Sequence, residues 1–433
     1  MENSVYDVIV VGGGNAALCA ALSARERVQN VLMLERAPEN KRGGNSAFTA
    51  GSFRMVHNGL ETISKMIPDL TPDEIARTDF GEYTAGEYFD DLGRVTRYCI
   101  NPDLAEVLVH QSTGTVQWIR DTTKLRFVPM YGRYAFNHEG RFKFFGGTVV
   151  CAVGGGPGLV EAEYKAAADR GIEIRYEAQA TSLLRTRSGV EGVRIVSDGA
   201  EEDLRARAVV LASGGFEANR EWRTRYLGPG WDMAKVRGSR FNTGDGIRMA
   251  LDIGAQSYGQ WSGCHAVSWE RYAPDFGDLD ARSNSYRHSY PFSIMVNAEG
   301  RRFVDEGADF RNYTYAKYGR VVLQQPGNYA WQVFDAQVAY LLREEYKLRG
   351  VTKVQADTLE ELVERMQDID AAQFLETVRA YNAAVKRDVP FDPNVKDGRC
   401  TAGLEINKTN WANPIEKPPF QAYAVGCGVT FTF

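Results

Sequence analysis

Short, uninterrupted hydrophobic runs and helical patterns alternate at the start of the chain. The first run, YDVIVV at Tyr6–Val11, is rich in β-branched residues, which is typical of a central parallel strand buried on both faces. An Ala-rich helical segment follows at residues 16–25, and a second strand is predicted at residues 30–34. This order of strand, helix and strand predicts an α/β fold of the Rossmann-like type.

The hydrophobic pattern predicts further elements along the rest of the chain. Within residues 102–120, apolar residues occur at Leu104, Val107, Leu108, Val116 and Ile119, a spacing that predicts an amphipathic helix. Residues 292–306 predict a strand, a tight turn and a second strand. The other predicted helices are residues 159–170, 248–253, 336–349 and 359–386, and the other predicted strands are residues 172–176, 191–196, 203–207, 208–212 and 331–335.

Composition narrows the class of protein. The 433 residues predict two or three domains, and 51 Lys and Arg against 56 Asp and Glu give a net charge of −5. This balance argues against nucleic acid as the main partner, which would favour a basic surface. The six cysteines include no Cys-x-x-Cys pair, which argues against a metal centre or a disulfide framework. Because the N-terminal apolar run is too short for a signal peptide or a membrane span, we expect a cytoplasmic protein.

The strongest chemical signal is the glycine-rich turn between the first strand and the first helix. The sequence GGGNAA at residues 12–17 has the pattern G-x-G-x-x-A. Such glycines permit a tight turn and let backbone N–H groups approach a diphosphate at the helix N-terminus. An acid at the end of the second strand can accept hydrogen bonds from ribose hydroxyls and would repel a 2′-phosphate. The residues predicted to bind a dinucleotide in this unit are Gly12, Gly14, Asn15, Ala16, Glu35 and Arg36.

A second loop of small residues follows at residues 43–52. By its turn chemistry it is either a solvated turn or a loop that passes close to a flat redox ring. The segment resembles the flavin loop of the fumarate reductase/succinate dehydrogenase flavoprotein superfamily. The resemblance implies FAD beside Gly44, Asn45, Ser46 and Gly51. Quinone-linked members of the superfamily attach FAD through a His in this loop, and this chain has Asn45 and no His there, so the resemblance implies noncovalent FAD.

Two later segments resemble other FAD-contacting elements of the same superfamily. Residues 208–221 resemble its second dinucleotide-binding signature, with Ser213 and Gly214 at the strand end. Residues 242–247 match its TGDG element, which implies contacts from Asn242, Thr243 and Asp245. Ala180 completes the predicted cofactor-binding set.

From about residue 259 the chain becomes rich in aromatic and polar residues, a composition that fits a cap over a ligand cleft. Residues 292–306 resemble the VNxxGxRFxxE signature in the capping domain of fumarate-reductase-like enzymes. The resemblance implies an FAD-binding domain at residues 1–258 and an inserted α+β capping domain at residues 259–428. Residues 429–433 would begin a strand that returns to the FAD domain, with a further segment expected after Phe433. The aromatic and His residues noted here are Trp261, His265, Trp269, Tyr272, Tyr286, His288, Tyr290, Tyr313 and Tyr315.

The candidate catalytic residues are cationic. A flavin removes a hydride from an unactivated C–H bond when a neighbouring proton is also taken, so we expect a CH–CH unit beside a carboxylate. The resemblance implies that His265 binds a substrate carboxylate and that Arg311 transfers the proton, whereas guanidinium chemistry alone predicts that Arg311 is a carboxylate clamp. Arg287 ends residues 284–287, where the superfamily has a Glu-x-x-Arg proton relay and this chain lacks the Glu. Arg287 is therefore expected as a relay member or as another clamp.

The C-terminal part points to a branch of the superfamily. Residues 430–433 are TFTF where dicarboxylate reductases have His-His-Thr-Met, and residues 408–412 are KTNWA. This pattern most resembles the branch that oxidises tricarballylate to cis-aconitate and passes electrons to a membrane iron–sulfur partner. The resemblance therefore implies a tricarballylate-type dehydrogenase, in the cytoplasm or held at the inner face of the membrane through that partner.

Other functions stay open from the sequence. The same fold occurs as the flavoprotein module of aerobic precorrin-3B synthase, and it could serve another CH–CH oxidation, including that of a steroid ketone. An alternative of a different class is an FAD-carrying electron-transfer module without catalysis of its own.

Overall fold

The chain folds into two units in a computed structural model, which describes residues 5–138, 140–279 and 285–433. The first unit contains the chain up to Asn219 together with Gly238–Trp261 and Phe433. The second unit contains Arg220–Arg237 and Ser262–Thr432. Residues 429–432, expected to begin a strand returning to the FAD domain, lie in the last strand of the second unit.

The elements alternate along the chain. The strands are β1 (Tyr6–Val11), β2 (Val31–Leu34), β3 (Thr78–Asp79), β4 (Phe127–Pro129), β5 (Ala135–His138), β6 (Arg141–Phe144), β7 (Val150–Ala152), β8 (Glu173–Arg175), β9 (Gln179–Thr186), β10 (Gly189–Ser197), β11 (Ala200–Leu211), β12 (Lys235–Val236), β13 (Cys264–Glu270), β14 (Ile294–Val296), β15 (Ala330–Phe334), β16 (Lys353–Ala356) and β17 (Phe420–Thr432). The helices are α1 (Asn15–Arg25), α2 (Leu60–Met66), α3 (Pro72–Arg77), α4 (Ala85–Thr96), α5 (Pro102–Thr123), α6 (Tyr131–Tyr134), α7 (Gly155–Asp169), α8 (Arg220–Trp222), α9 (Asp245–Asp252), α10 (Arg311–Leu323), α11 (Leu359–Arg365) and α12 (Ala371–Ala384).

The first unit is built on a six-stranded sheet with the order β8-β2-β1-β11-β10-β9. Strands β8, β2, β1 and β11 are parallel, and β10 and β9 extend the sheet in antiparallel fashion. All four residues of β2 are buried, as expected for a strand covered on both faces. The carboxyl ends of β1 and β2 therefore meet at one edge, where α1 begins.

The second unit is built on β17, a long central strand of 13 residues. It pairs with β12, β13, β15 and β16, and β14 pairs with β15. Buried side chains of α11 and α12, such as Leu362 and Phe374, pack with Trp331 of β15 in one hydrophobic cluster. Strand β13, which carries His265, belongs to this sheet, and α10 packs against β13 and β17.

Three predicted elements of the second unit were wrong in detail. The helix expected at residues 336–349 is two 3₁₀ turns, Ala336–Leu341 and Glu344–Tyr346, because Leu342 and Arg343 between them are extended. The helix expected at residues 359–386 is broken between α11 and α12, where Asp370 caps α12 and its backbone N–H donates to Ala298. The second strand expected within residues 292–306 is reduced to one bridge, between Val296 and Arg302.

Helix α5 is present as predicted, but its apolar residues do not share one face. Val116 and Ile119 are buried, whereas Leu104, Val107 and Leu108 are exposed at 65%, 56% and 47%. In the first unit, the two strands predicted at residues 203–207 and 208–212 form the single strand β11. The predicted fold class, α/β with a Rossmann-like first unit, is confirmed.

Three features are absent from the residues that the structure describes: a membrane-spanning helix, a metal cluster and a disulfide bond. None of their helices has the length and hydropathy needed to cross a bilayer. They contain no cluster of three or more His, Cys, Asp or Glu side chains able to hold a metal ion. All six cysteines are present as free thiols.

Candidate functional site

The turn between β1 and α1 is shaped for glycine. Gly12 has φ of +125°, and a Cβ there would lie 2.3 Å from the carbonyl oxygen of Ala212. A Cβ on Gly13 would lie 2.1 Å from Oε2 of Glu35, at the end of β2. Helix α1 then begins at Asn15 without a side-chain cap or an acidic residue in its first turn. This arrangement suits an anion that binds at the helix N-terminus.

A cleft of about 950 Å³, including open solvent at its mouth, extends from this turn across the edge of the first sheet. Every cofactor-binding residue predicted from the sequence lines it except Gly51 and Thr243. The predicted residues in the lining are Gly12, Gly14, Asn15, Ala16, Glu35, Arg36, Gly44, Asn45, Ser46, Ala180, Ser213, Gly214, Asn242 and Asp245. The lining residues that sequence reasoning missed are Val11, Gly13, Leu34, Ala178, Gln179, Ala212, Ser239, Phe241 and Gly246.

The two exceptions contact other parts of the first unit. Gly51 packs against the backbone of Gly155, at the start of α7. The Thr243 hydroxyl accepts a hydrogen bond from Nη1 of Arg36 at 2.7 Å and donates to Asp245 at 3.0 Å. Thr243 therefore positions two residues that line the cleft, whereas Gly51 lies beside the start of α7.

Glu35 and Arg36 shape the end of the cleft beside β2. The Glu35 carboxylate accepts a hydrogen bond from the backbone N–H of Ala37 at 2.7 Å, and burial raises the pKa of this carboxyl above its ordinary value. Arg36 forms an ion pair with Asp245 of α9 at 2.8 Å. These contacts join the ends of β2 and α9, which are more than 200 positions apart in the sequence.

Glu217 holds two amide side chains of the cleft. Its Oε1 accepts hydrogen bonds from Nδ2 of Asn45 and, at 2.8 Å, from Nδ2 of Asn242. The Asn45 side-chain oxygen accepts from the backbone N–H of Ser239 at 2.9 Å. Glu217 is fully buried, and sequence reasoning missed it as a site residue. The signal was its place in the SGGFEAN segment, directly after the strand end that was predicted to bind FAD.

The residues of the cleft fit an adenine dinucleotide. Cβ atoms at positions 12 and 13 would fill the cradle at the start of α1, and the Ser46 hydroxyl, which accepts from the Asn15 N–H at 3.0 Å, ties the small-residue loop to that helix. Glu35 has the carboxylate suited to ribose hydroxyls. Asn45 and Ser46 offer polar groups to the edge of a ring system.

In the second unit, three predicted catalytic residues have different surroundings. Arg311 is the first residue of α10 and is buried, with its guanidinium carbon 5.7 Å from the ring centroid of Tyr315. His265, in β13, meets the same Tyr315 ring edge-on at 5.0 Å and stacks on Phe431 at 5.1 Å. Tyr315 thus brings together two of the predicted residues that are 46 positions apart.

His288 joins this group although it was not predicted as a site residue. Its ring lies 5.0 Å from that of Tyr315 and stacks on Tyr286 at 4.7 Å. His288 is buried, with 1% of its surface exposed. The signal available in the sequence was the concentration of aromatic residues after residue 259. We call Arg311, Tyr315, His265 and His288 the Tyr315 cluster.

Arg287 is engaged elsewhere. Its Nη2 donates to Oε2 of Glu270 at 2.8 Å, and both side chains are buried. Glu270 also accepts from the backbone N–H of Thr352 at 3.2 Å, and the Arg287 guanidinium lies 5.7 Å from the ring centroid of Tyr346. Asn284, at the position of the missing relay Glu, lies outside the described residues. A buried ion pair of this kind is costly to break, so the geometry favours a structural role for Arg287.

Residues 408–411, which we call the brace, hold the loop that leads to Arg311. The backbone N–H of Thr409 donates to Oδ1 of Asp305 at 3.0 Å, and Nδ2 of Asn410 donates to the carbonyl of Gly307 at 2.8 Å. The ring of Trp411 lies 5.7 Å from that of Phe310, the residue before Arg311. Lys408 is fully buried and donates to the carbonyl of Ser293 at 2.6 Å, and burial lowers its pKa to about 8.

The glycine cradle, the carboxylate after β2 and the amide-lined cleft define a dinucleotide-binding protein of the flavoprotein type. The FAD binding domain family matches residues 7–433, and the chain belongs to this family. The predicted cofactor FAD is therefore confirmed.

Two of the similar proteins are named for the reduction of fumarate. The chain is 27% identical over 440 residues to a probable fumarate reductase, Ifc3, of Shewanella frigidimarina (strain NCIMB 400), covering 98% of this chain and 64% of that protein. It is 26% identical to the NADH:fumarate oxidoreductase of Klebsiella pneumoniae (strain 342), covering 99% of this chain and 41% of that protein. The chain thus spans about two fifths to two thirds of the length of these relatives.

A solved structure has the same fold. The open conformation of a flavocytochrome c3 fumarate reductase superposes with a TM-score of 0.70 at 24% sequence identity. The match covers 98% of this chain and 67% of that one.

Proposed function

We propose that the protein is an FAD-dependent oxidoreductase that acts on a carbon–carbon bond next to a carboxylate, interconverting CH–CH and C=C. Membership of the FAD binding domain family and the names of the related fumarate reductases support this proposal. When bound, FAD supplies two-electron chemistry through hydride transfer. The chain itself must hold the acid and handle the accompanying proton.

The observation that carries the proposal is the Tyr315 cluster. An arginine in this position can bind a carboxylate through two parallel hydrogen bonds, and its burial strengthens them. His265 and His288 are side chains of the type that exchanges protons near neutral pH. We therefore propose that Arg311 binds and orients the carboxylate. Proton transfer by Arg311, as the superfamily resemblance implies, is the second role we propose for it.

More specifically, we propose that the substrate is a polycarboxylic acid. The first candidate reaction is the oxidation of tricarballylate to cis-aconitate. Its support is the resemblance carried by the brace and by residues 430–433. The Glu270–Arg287 pair weighs the other way, because it occupies a guanidinium that three carboxylates would otherwise need. Acids with one or two carboxylates are accordingly the comparison substrates.

Anaerobic flavin spectroscopy tests the proposal in both directions. Tricarballylate is expected to bleach the oxidised flavin, and fumarate or a monocarboxylic enoic acid is expected to restore the colour of dithionite-reduced flavin. Product formation should be followed in the same samples. A flavin that binds but exchanges electrons with none of these acids would contradict the proposal and favour the electron-carrying module.

We also propose that FAD is held noncovalently and that electrons pass to a membrane iron–sulfur partner. Among the described residues that line the cleft there is no His, the side chain through which quinone-linked members of the superfamily attach FAD, which supports the first part. The second part rests on the superfamily resemblance. A pull-down of the flavin-loaded chain from detergent-solubilised membranes tests it, and recovery of no iron–sulfur protein would count against that partner.

A further inference from the structure

Helix α7 presents one face to two segments that line the cofactor cleft. Gly156, Val160 and Tyr164 are spaced four residues apart and therefore share that face. A Cβ added at Gly156 would lie 2.3 Å from a backbone oxygen of the small-residue loop, and one added at Gly43 would lie 2.7 Å from Val160. The Tyr164 hydroxyl donates to the carbonyl of Gly13 at 2.9 Å. Helix α7 thus packs against both the small-residue loop and the turn before α1.

The hydrogen bond from Tyr164 fixes the direction of one backbone N–H group. In a trans peptide the carbonyl and the N–H of the next residue point in opposite directions. Because the Gly13 carbonyl points to Tyr164, the Gly14 N–H points away from it. Gly14 lines the cleft and precedes the first residue of α1, whereas Tyr164 lies outside the described lining. The Gly14 N–H is therefore directed to the side where an anion binds at the helix N-terminus.

The two glycines are the reason that such a restraint matters. A Cβ on Gly13 would lie 2.1 Å from Oε2 of Glu35 and 2.4 Å from the Tyr164 hydroxyl, so this position has room for glycine alone. A peptide between two glycines turns over more easily than other peptides, because neither residue has a Cβ to limit its dihedral angles. The turn therefore depends on another element to hold the Gly13–Gly14 peptide in one orientation.

Tyr164 is itself held firmly. It is buried, and the guanidinium carbon of Arg42 lies 4.2 Å from its ring centroid, within the range of a cation–π contact. Arg42 also donates to the Tyr176 hydroxyl at 2.8 Å and to Glu161 at 3.1 Å. Burial, together with the nearby Glu35 carboxylate, raises the pKa of Tyr164 above its ordinary value. The hydroxyl consequently keeps its proton and stays a donor to Gly13 at neutral pH.

We propose that Tyr164 is a positioning residue for FAD, whose hydroxyl holds the Gly13–Gly14 peptide so that the Gly14 N–H faces the diphosphate. Tyr164 acts through Gly13 and touches no reacting atom. Without this bond, the binding of FAD would have to include the ordering of the peptide, and the affinity would fall. The proposal concerns the cofactor and does not depend on which acid the protein converts.

The dissociation constant of FAD tests this proposal. Tyr164→Phe keeps the ring and removes only the hydroxyl, and we expect the dissociation constant to rise about five- to tenfold, the effect of one net hydrogen bond. Dilution of the FAD-loaded chain, followed by the fluorescence of released flavin, gives the measurement. The matched control is Tyr329→Phe, because Tyr329 is a buried tyrosine of the second unit whose hydroxyl also donates to a backbone carbonyl, that of Asp368. An unchanged constant in Tyr164→Phe, or an equal rise in both variants, would overturn the proposal.

Hydrogen exchange of the FAD-loaded chain gives a local measurement that separates positioning from general stability. In Tyr164→Phe, residues 12–17 should exchange faster by a similar factor, because opening of the turn becomes easier. Strand β10, in the same unit, should exchange at the wild-type rate. Faster exchange in both segments would show a general loosening of the unit and would contradict a positioning role.

A second variant tests the ring contact. Arg42→Met removes the cation over the Tyr164 ring but keeps an apolar chain there, and we expect a smaller rise of the FAD dissociation constant, about twofold. Arg42 directly precedes the small-residue loop. An effect of Arg42→Met that exceeds that of Tyr164→Phe would place the restraint in this loop and would overturn its assignment to Tyr164.

Discussion

Arg311 is the single residue on which binding of an acid should depend most. Arg311→Ala is expected to lower the rate of flavin reduction by substrate by about two to three orders of magnitude, because a charge-assisted, buried carboxylate contact is lost. Arg311→Lys should recover only part of that loss, since an ammonium cannot form the two parallel bonds of a guanidinium. Stopped-flow spectroscopy of the flavin measures both.

The control for these variants is Lys317→Ala. Lys317 is an exposed cation of the same helix and lies outside the Tyr315 cluster. All three variants should retain FAD, because the cleft that fits it is lined by residues of the first unit. Reduction of the Arg311→Ala flavin at the wild-type rate would remove Arg311 from the proposed site.

Glu163 is a buried residue that should make stability depend on pH. Burial raises the pKa of its carboxyl from 4.5 to about 8, and Oε1 accepts from the Cys19 thiol at 3.6 Å. Between these two pH values the folded chain keeps a proton that the unfolded chain has released. The contribution of Glu163 to the free energy of unfolding should therefore be most favourable below pH 4.5. It should fall as the pH rises towards 8.

Glu163→Gln removes this titration and should raise the free energy of unfolding at pH 8 by about 2 kcal/mol. Urea unfolding of both proteins between pH 5 and pH 8 gives the measurement. Glu161→Gln is the control, because the Glu161 side chain, on the same helix, is 73% exposed. Parallel pH profiles for wild type and Glu163→Gln would show that Glu163 does not carry the effect.

Among the elements, the brace decides how firmly the loop before α10 is held. It contacts that loop at three successive points, Asp305, Gly307 and Phe310. The loop also contains Glu306, whose buried carboxylate forms an ion pair with Arg302 at 2.6 Å. A loop fixed on both sides in this way presents the first residue of α10 in one position, which is the requirement for orienting a bound acid.

Asn410→Ala should loosen this loop. The variant leaves the carbonyl of Gly307 without its amide donor, and we expect kcat/KM for the acid to fall by about tenfold through KM. The control is Asn407→Ala, since Asn407 bonds Leu404 and Thr401 within its own segment. If both variants lose the same amount of melting temperature and keep the wild-type kcat/KM, the brace has only a structural role.

Elements with strong local signals could be predicted from the sequence. Strand β1 has the predicted bounds Tyr6–Val11, because its β-branched run and the glycines that follow specify both ends. The break between α11 and α12 was not predicted. Its local signal is the cap at Asp370, whose side chain accepts from the backbone N–H of Gln373 at 2.9 Å. The second contact, from the Asp370 N–H to Ala298, exists only in the folded chain. The exposure of the apolar residues near the start of α5 was equally hidden: their periodicity is that of a buried face, and the tertiary structure decides which face is covered.

For the candidate site, the sequence motifs predicted which residues lie near the cleft. They did not predict which side chains those residues contact. The glycine turn, Glu35 and the small-residue loop were found because their chemistry depends on local sequence. Glu217 was missed because its role consists of holding Asn45 and Asn242 from a different segment. The pairing of Arg287 with Glu270 depends on contacts across 17 positions that no spacing rule gives.

At the scale of the whole molecule, noncovalent FAD would act as a ligand of the folded state. Each tenfold increase in free FAD above its dissociation constant should add about 1.4 kcal/mol to the free energy of unfolding, so the melting temperature should rise with FAD concentration. Acid precipitation should release the flavin into the supernatant.

In the Gly13→Ala variant, the melting temperature should no longer depend on FAD concentration, because the added Cβ would lie 2.1 Å from the Glu35 carboxylate. Gly132→Ala is the control, since a Cβ there meets no atom within 4 Å. A flavin that stays in the acid pellet would show a covalent bond, and a melting temperature independent of FAD in the wild type would contradict the cradle at the start of α1.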